Sequence, residues 1–109
     1  ALERAVDLAP GNAIYRAELG YVQIREKDFD AALKTYSLAA VVAREFSPSE
    51  KRNAELARAW RGMGYVYVEL NRLAEAEDMY RKCLALDAND AKASNELRYV
   101  LSLKKTSSI

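Results

Sequence analysis

The residue types that perform bond-making chemistry are scarce in this chain. It contains no histidine, which excludes an imidazole general base, a nucleophile activated by imidazole, and histidine-ligated zinc. Its single cysteine, Cys83, excludes an internal disulfide and any Cys-x-x-Cys site. Glu75, Glu77 and Asp78 lie close together in sequence, but at this spacing they read as the solvated face of a helix rather than a catalytic carboxylate group. Lys104-Lys105 reads as an ordinary solubilising end. Ser107-Ser108-Ile109 has the form of a C-terminal peptide ligand, but three residues carry too little information to count. What remains is a supply of tyrosines and cations, seven Tyr and 17 Lys plus Arg. Rigid amphipathic rings beside guanidinium or ammonium groups suit recognition of an acidic or carboxylate-bearing segment.

The elements that must position those side chains are helical. The chain has 109 residues, half of them apolar and 30% charged, with a formal net charge of +1. That composition fits one small domain and is too apolar for a disordered tail. No stretch approaches the ~18 uninterrupted apolar residues of a membrane helix. The near-neutral charge lacks the electrostatic footprint of a nucleic-acid binder. Apolar residues recur at helical spacing over 13–26, with Ile14, Ala17, Leu19, Val22 and Ile24, and again over 29–46. Ser47-Pro48-Ser49-Glu50 reads as a helix start in which Ser47 is the cap and Glu50 bonds back to it. Helices over 48–70, 73–86 and 91 to about 104 follow, separated by Asn71-Arg72 and by Asp87-Ala88-Asn89-Asp90. Before all of these, residues 2–8 read as a helix already under way, broken by Pro10-Gly11. A helix opening without a cap is the expectation for part of a longer protein, and the absence of a targeting signal then carries no meaning. The pattern predicts six helices and no strands.

An internal repeat organises them. At an offset of 44 residues, Gly20-Tyr21-Val22 falls on Gly64-Tyr65-Val66, Ala32 on Ala76, Tyr36 on Tyr80 and Phe29 on Leu73. Glycine in mid-helix costs roughly 1 kcal/mol relative to alanine, so its recurrence calls for a packing reason: close approach of two helices, with large rings filling the gaps between pairs.

These residues resemble the tetratricopeptide repeat, whose pattern is W-x2-L-G-x2-Y, then Ala, an aromatic and a closing Pro over about 34 residues. The second copy supplies Trp60, Met63 for Leu, Gly64, Tyr67, Ala76, Tyr80 and Cys83. The first keeps Leu19, Gly20, Ala32, Tyr36 and Ala39, with Arg16 and Gln23 in the Trp and Tyr slots. The resemblance implies an all-α fold, a right-handed α-solenoid of antiparallel helix pairs. It divides the chain into the tail of a preceding repeat (1–12), a repeat (13–46), an extended repeat (47–90), a capping helix (91–104) and a frayed tail (105–109). The ten extra residues fall at 44–53, and repeats extended in this way resemble the kinesin-light-chain type. In the family's packing slots, Trp60, Tyr67, Tyr36, Tyr80 and Phe29 are expected in the core, and Cys83 is expected to be an inert small hydrophobe.

The resemblance also places a binding face on the first helix of each repeat. There Tyr21, Tyr65 and Tyr99 take equivalent places on three successive helices. Arg25, Arg58, Arg61, Lys92 and Asn95 lie beside them, and Gly62 leaves room. Such a row fits an extended or helical peptide of a partner protein, acidic or ending in a carboxylate, with Tyr65 as central anchor and Arg61 as the carboxylate contact. The family's clamp for chaperone tails is not reproduced, because Ala17 and Tyr21 stand where its first Lys and Asn belong. The expected function is non-catalytic protein–protein interaction, with no cofactor and no metal. Self-association through the first helix and the long 48–70 helix is the alternative. An enzyme lacks its residues here, and an RNA reader lacks both charge and a regular base-reading pair.

Overall fold

The computed structural model describes residues 13–107, so the helix expected over 2–8 lies outside the described residues. All regular structure among them is helical: α1 (Ala13–Arg25), α2 (Phe29–Phe46), α3 (Ser49–Glu69), α4 (Leu73–Leu86) and α5 (Ala91–Ser107). Short links join them, each helix packs against the next, and α1 also packs against α3. The result is an elongated slab of 48 × 30 × 17 Å. No described helix is long and apolar enough to cross a membrane.

The α1–α2 and α3–α4 turns are built alike. Lys27 and Asn71, at equivalent places, both have positive φ, 62° and 58°. In each turn this residue's N–H donates three residues back, Lys27 to Ile24 and Asn71 to Val68. The next N–H closes the larger ring, Asp28 to Gln23 and Arg72 to Tyr67. This is the Schellman arrangement, which satisfies carbonyls that the helix end would leave orphaned. Asparagine tolerates the left-handed region, whereas lysine adopts it at a cost.

The α2–α3 junction corrects the sequence reading. Pro48, not Ser47, takes the capping position of α3 and offers no side-chain cap. Ser47 instead terminates α2, its N–H donating to Ala43 O. It is buried, its Oγ donates to the Glu55 carboxylate, and Arg52 Nη2 donates to its carbonyl at 3.2 Å. The reason is conformational. Ser47 and Pro48 are both extended, with ψ near 142° and 147°, because proline drives its predecessor out of the helical region. The hydroxyl therefore lies too far back to reach the first-turn amides.

The other end also differs. α5 continues past Lys104 through Ser107, so the tail expected to fray from 105 is helical as far as it is described. Lys104 Nζ donates to Glu77 Oε1 at 2.7 Å, pinning α5 to α4 where a merely solubilising lysine was expected. Glu77 also holds Arg81 at 2.7 Å, and these two cations hold its carboxyl below the usual carboxylate range.

Alanine-rich layers fill the spaces between helices, with Ala32, Ala39, Ala43, Ala59, Ala76 and Ala93 fully buried. Tyr36 and Tyr80 are buried as expected. Trp60, Tyr67 and Phe29 are only half-buried against these layers. Lys82 Nζ stands 5.6 Å from the Trp60 ring centre, and the Arg72 guanidinium 4.9 Å from that of Tyr67. Trp60 and Tyr67 thus pack their inner sides and offer their π-faces to a cation.

Candidate functional site

The site begins with two glycines and a ring. Tyr36 projects from α2 between α1 and α3, and its two edges face Gly20 on α1 and Gly62 on α3. A Cβ built on Gly20 would stand 2.7 Å from Cε2 of that ring, and one on Gly62 would stand 2.6 Å from Cδ1. Neither separation is sterically possible, so the ring passes between the helices only because both residues lack a side chain. Gly64 receives Tyr80 in the same way, at 2.6 Å from Cζ. Gly62 has no counterpart in the other copies, where Glu18 and Glu96 take its place. The room it makes is occupied by Tyr36 rather than left open in the groove.

In front of that ring lies a cleft of about 420 Å³, lined by Tyr21, Ile24 and Arg25 from α1, Tyr36 from α2, and Arg58, Arg61, Gly62 and Tyr65 from α3. Five of the residues singled out from sequence, Tyr21, Arg25, Arg58, Arg61 and Tyr65, therefore come together here. Tyr21 and Tyr65 stay 56% and 45% exposed, the state of rings that project into open space. The Arg25 guanidinium lies 6.0 Å from the Tyr21 ring centre. Lys92 belongs instead to a second cleft of about 390 Å³ between α3 and the start of α5, whose lining includes Ala54, Ala57 and Leu86. Asn95 and Tyr99 are exposed on α5 and line neither cleft.

Charge separates the arginines. Arg61 Nη1 donates to Asp90 Oδ2 at 2.9 Å, in a pair whose side chains are only 25% and 10% exposed. The other oxygen of Asp90 accepts from Ala93 N at 3.0 Å, capping α5. Arg61 is thus held by the chain itself and forms the wall shared by the two clefts. Arg58 is exposed and forms no ion pair among the described residues.

The tyrosines titrate accordingly. Burial raises the Tyr36 phenol above its ordinary value, with Arg58 opposing and Tyr21 adding. Tyr65 is raised by burial and by Glu69 one turn on. Both phenols therefore stay protonated at pH 7. Cys83 Sγ rests 3.5 Å from Ala57 O, and burial pushes its thiol up to about 11. That matches the inert packing role and leaves no thiolate at neutral pH. Among the described residues no cluster of acidic or cysteine side chains could hold a metal ion.

Two features escaped sequence reasoning. Tyr36 is buried as its repeat slot implies but also forms part of the cleft wall, for which the two glycines facing it are the available signal. The Asp90 partner of Arg61 lies 29 residues away across a helix and a loop, and nothing in the local pattern announces it.

Comparison with known proteins agrees with this architecture. A family model for the tetratricopeptide repeat matches residues 12–89. RNA polymerase II-associated protein 3 of Xenopus laevis is 32% identical over 97 residues, which is 89% of this chain but 13% of that protein. Among solved structures, the first tetratricopeptide repeat of Spaghetti (RPAP3), bound to the HSP90 peptide SRMEEVD, superposes with a TM-score of 0.78 at 24% identity. The match covers 95% of this chain and 75% of that one. With the repeated glycines, the paired turns and a family match over most of its length, the chain belongs to the tetratricopeptide repeat family.

Proposed function

We propose that this chain is a non-catalytic interaction module that holds a segment of a partner protein in the cleft between α1 and α3. The cleft then lies on the concave side of a right-handed array made of the 13–46 repeat, the extended 47–90 repeat and the 91–104 capping helix. The observation that carries the reading is the cleft lining. Two half-exposed tyrosines, Tyr21 from α1 and Tyr65 from α3, line it together with Arg25, Arg58 and Arg61, and no carboxylate is in the wall. Such a surface selects an acidic segment, and a ligand long enough to leave the cleft would meet Lys92, Asn95 and Tyr99 on α5, outside it. The peptide in the Spaghetti structure, SRMEEVD, is acidic and supports the same ligand class here. Ala17 and Tyr21 replace the family's clamp residues, so an acidic segment bound by this chain is read by other groups.

The test titrates acidic heptapeptides, SRMEEVD among them, against the protein and its Tyr65→Ala variant, with thermal stability measured on both. A central interface aromatic is worth about 2 kcal/mol of binding, roughly 30-fold in affinity. That loss at unchanged melting temperature supports the reading. A large loss of stability assigns Tyr65 to the core and removes the anchor.

Self-association is the second reading. It is favoured by Leu38, Val41 and Phe46, which stand exposed on α2. Light scattering at several concentrations tests it, since only this reading gives a mass that rises with concentration.

A further inference from the structure

We propose that the Tyr36 hydroxyl and the Arg58 guanidinium together form a seat for a carboxylate of the bound segment. The inference rests on the α1–α3 cleft being the binding face, and it names the groups that read the ligand's charge there.

Arg61 is the first candidate by position, but its guanidinium is engaged by Asp90 at 2.9 Å. A ligand carboxylate taking Arg61 would strip a partner from a nine-tenths buried Asp90 side chain, and uncompensated buried charge is costly. Arg58 has no such commitment. It lines the same cleft, and it stands near enough to the Tyr36 phenol to act on its titration.

Tyr36 supplies what a lone arginine lacks. Its ring is fixed between Gly20 and Gly62, so its hydroxyl has little freedom to lose on binding. The residue is only 5% exposed, yet it lines the cleft and makes no hydrogen bond among the described residues. The hydroxyl is protonated at pH 7 and donates. A pre-positioned O–H donor and a forked guanidinium lining one cleft can serve the two oxygens of a carboxylate, and bonds of this charge-assisted kind are the strong ones. The cleft wall carries no acidic side chain to compete.

Position in the repeat explains why the seat occurs once. Tyr80 is the equivalent ring between α3 and α5, but Glu96 stands where Gly62 would be. That carboxylate acts on the Tyr80 phenol where Arg58 acts on Tyr36. Arg61 is the cation that acts on this second ring, and it is already paired with Asp90, so Tyr80 has an anion of the protein near it and no uncommitted arginine.

The experiment titrates three probes: SRMEEVD as the free acid, SRMEEVD as the C-terminal amide, and the carboxylate-free amide SRMQQVN. Each is measured against the wild-type protein, Tyr36→Phe, Arg58→Gln and Tyr65→Ala. Tyr36→Phe keeps the ring in its slot and removes only the hydroxyl, so folding is preserved. The seat predicts that Tyr36→Phe and Arg58→Gln each weaken the free acid about tenfold or more, as for a lost hydrogen bond to a charged group. It predicts no effect of either change on SRMQQVN. If the amide still shows the Tyr36 dependence, the seated group is an Asp or Glu side chain; if the dependence disappears, it is the C-terminal carboxylate. Equal affinity of Tyr36→Phe and wild type for the free acid, with Tyr65→Ala weakened, overturns the seat and leaves the cleft reading standing. Absence of wild-type binding to both acidic probes at millimolar concentration overturns the two together.

Discussion

The ring of Tyr36 lies edge-on between the backbones of Gly20 and Gly62, and neither glycine has room for a methyl group in its presence. Gly62→Ala is therefore expected to destabilise the protein, even though alanine is the better helix former by about 1 kcal/mol. Gly20 blocks retreat of the ring on the far side, so relief requires α1 and α3 to separate, an overpacking cost of about 1–3 kcal/mol. Urea midpoints measure it. Tyr36→Ala in the same chain removes the obstacle, so the double variant should lose less than the sum of the single changes.

Asp90 does two tasks, capping α5 through Ala93 N and holding Arg61. Asp90→Asn keeps an acceptor for the cap and loses the charge, whereas Asp90→Ala loses both. The alanine variant should be the less stable by about 1 kcal/mol, the usual value of a cap. Amide exchange at Ala93 and Ser94 should accelerate in Asp90→Ala alone.

Cys83 is held neutral by burial, its thiol pushed up to about 11 from an ordinary 9.0. A raised acid favours the folded state at low pH. The contribution is fully present below pH 9 and is lost as pH rises from about 9 to 11, because the unfolded chain ionises first. Thiol-directed reagents at pH 8 should modify Cys83 no faster than the protein opens, and labelling should track the unfolding transition in urea. Prompt labelling of the native protein would place Cys83 on the surface.

The helices were legible because the apolar period, Pro48, Asn71 and the 87–90 loop are local signals that agree with one another. The recurring Gly20 and Gly64 gave the layered packing, since a costly mid-helix glycine needs a neighbour to explain it. Ser47 misled for a local reason: its type suits a cap, but the following proline holds the chain extended and carries the hydroxyl towards Glu55. The site was legible on the two helices that line it, where Tyr21, Arg25, Arg58 and Tyr65 share the cleft. It was not legible where a third element contributes. Tyr36 reaches the cleft from α2 and Asp90 reaches Arg61 from the α4–α5 loop, and such meetings depend on tertiary packing that no window of sequence contains.

The central claim is that ligand enters between α1 and α3. The most direct measurement is an amide chemical-shift titration of the labelled protein with SRMEEVD. Binding in this cleft concentrates the shifts on Tyr21, Arg25, Arg58, Gly62 and Tyr65, while Leu38, Val41 and the outer face of α4 stay still. Shifts confined to Leu38, Val41 and Phe46, with Gly62 and Tyr65 unmoved, would contradict it and place recognition on α2.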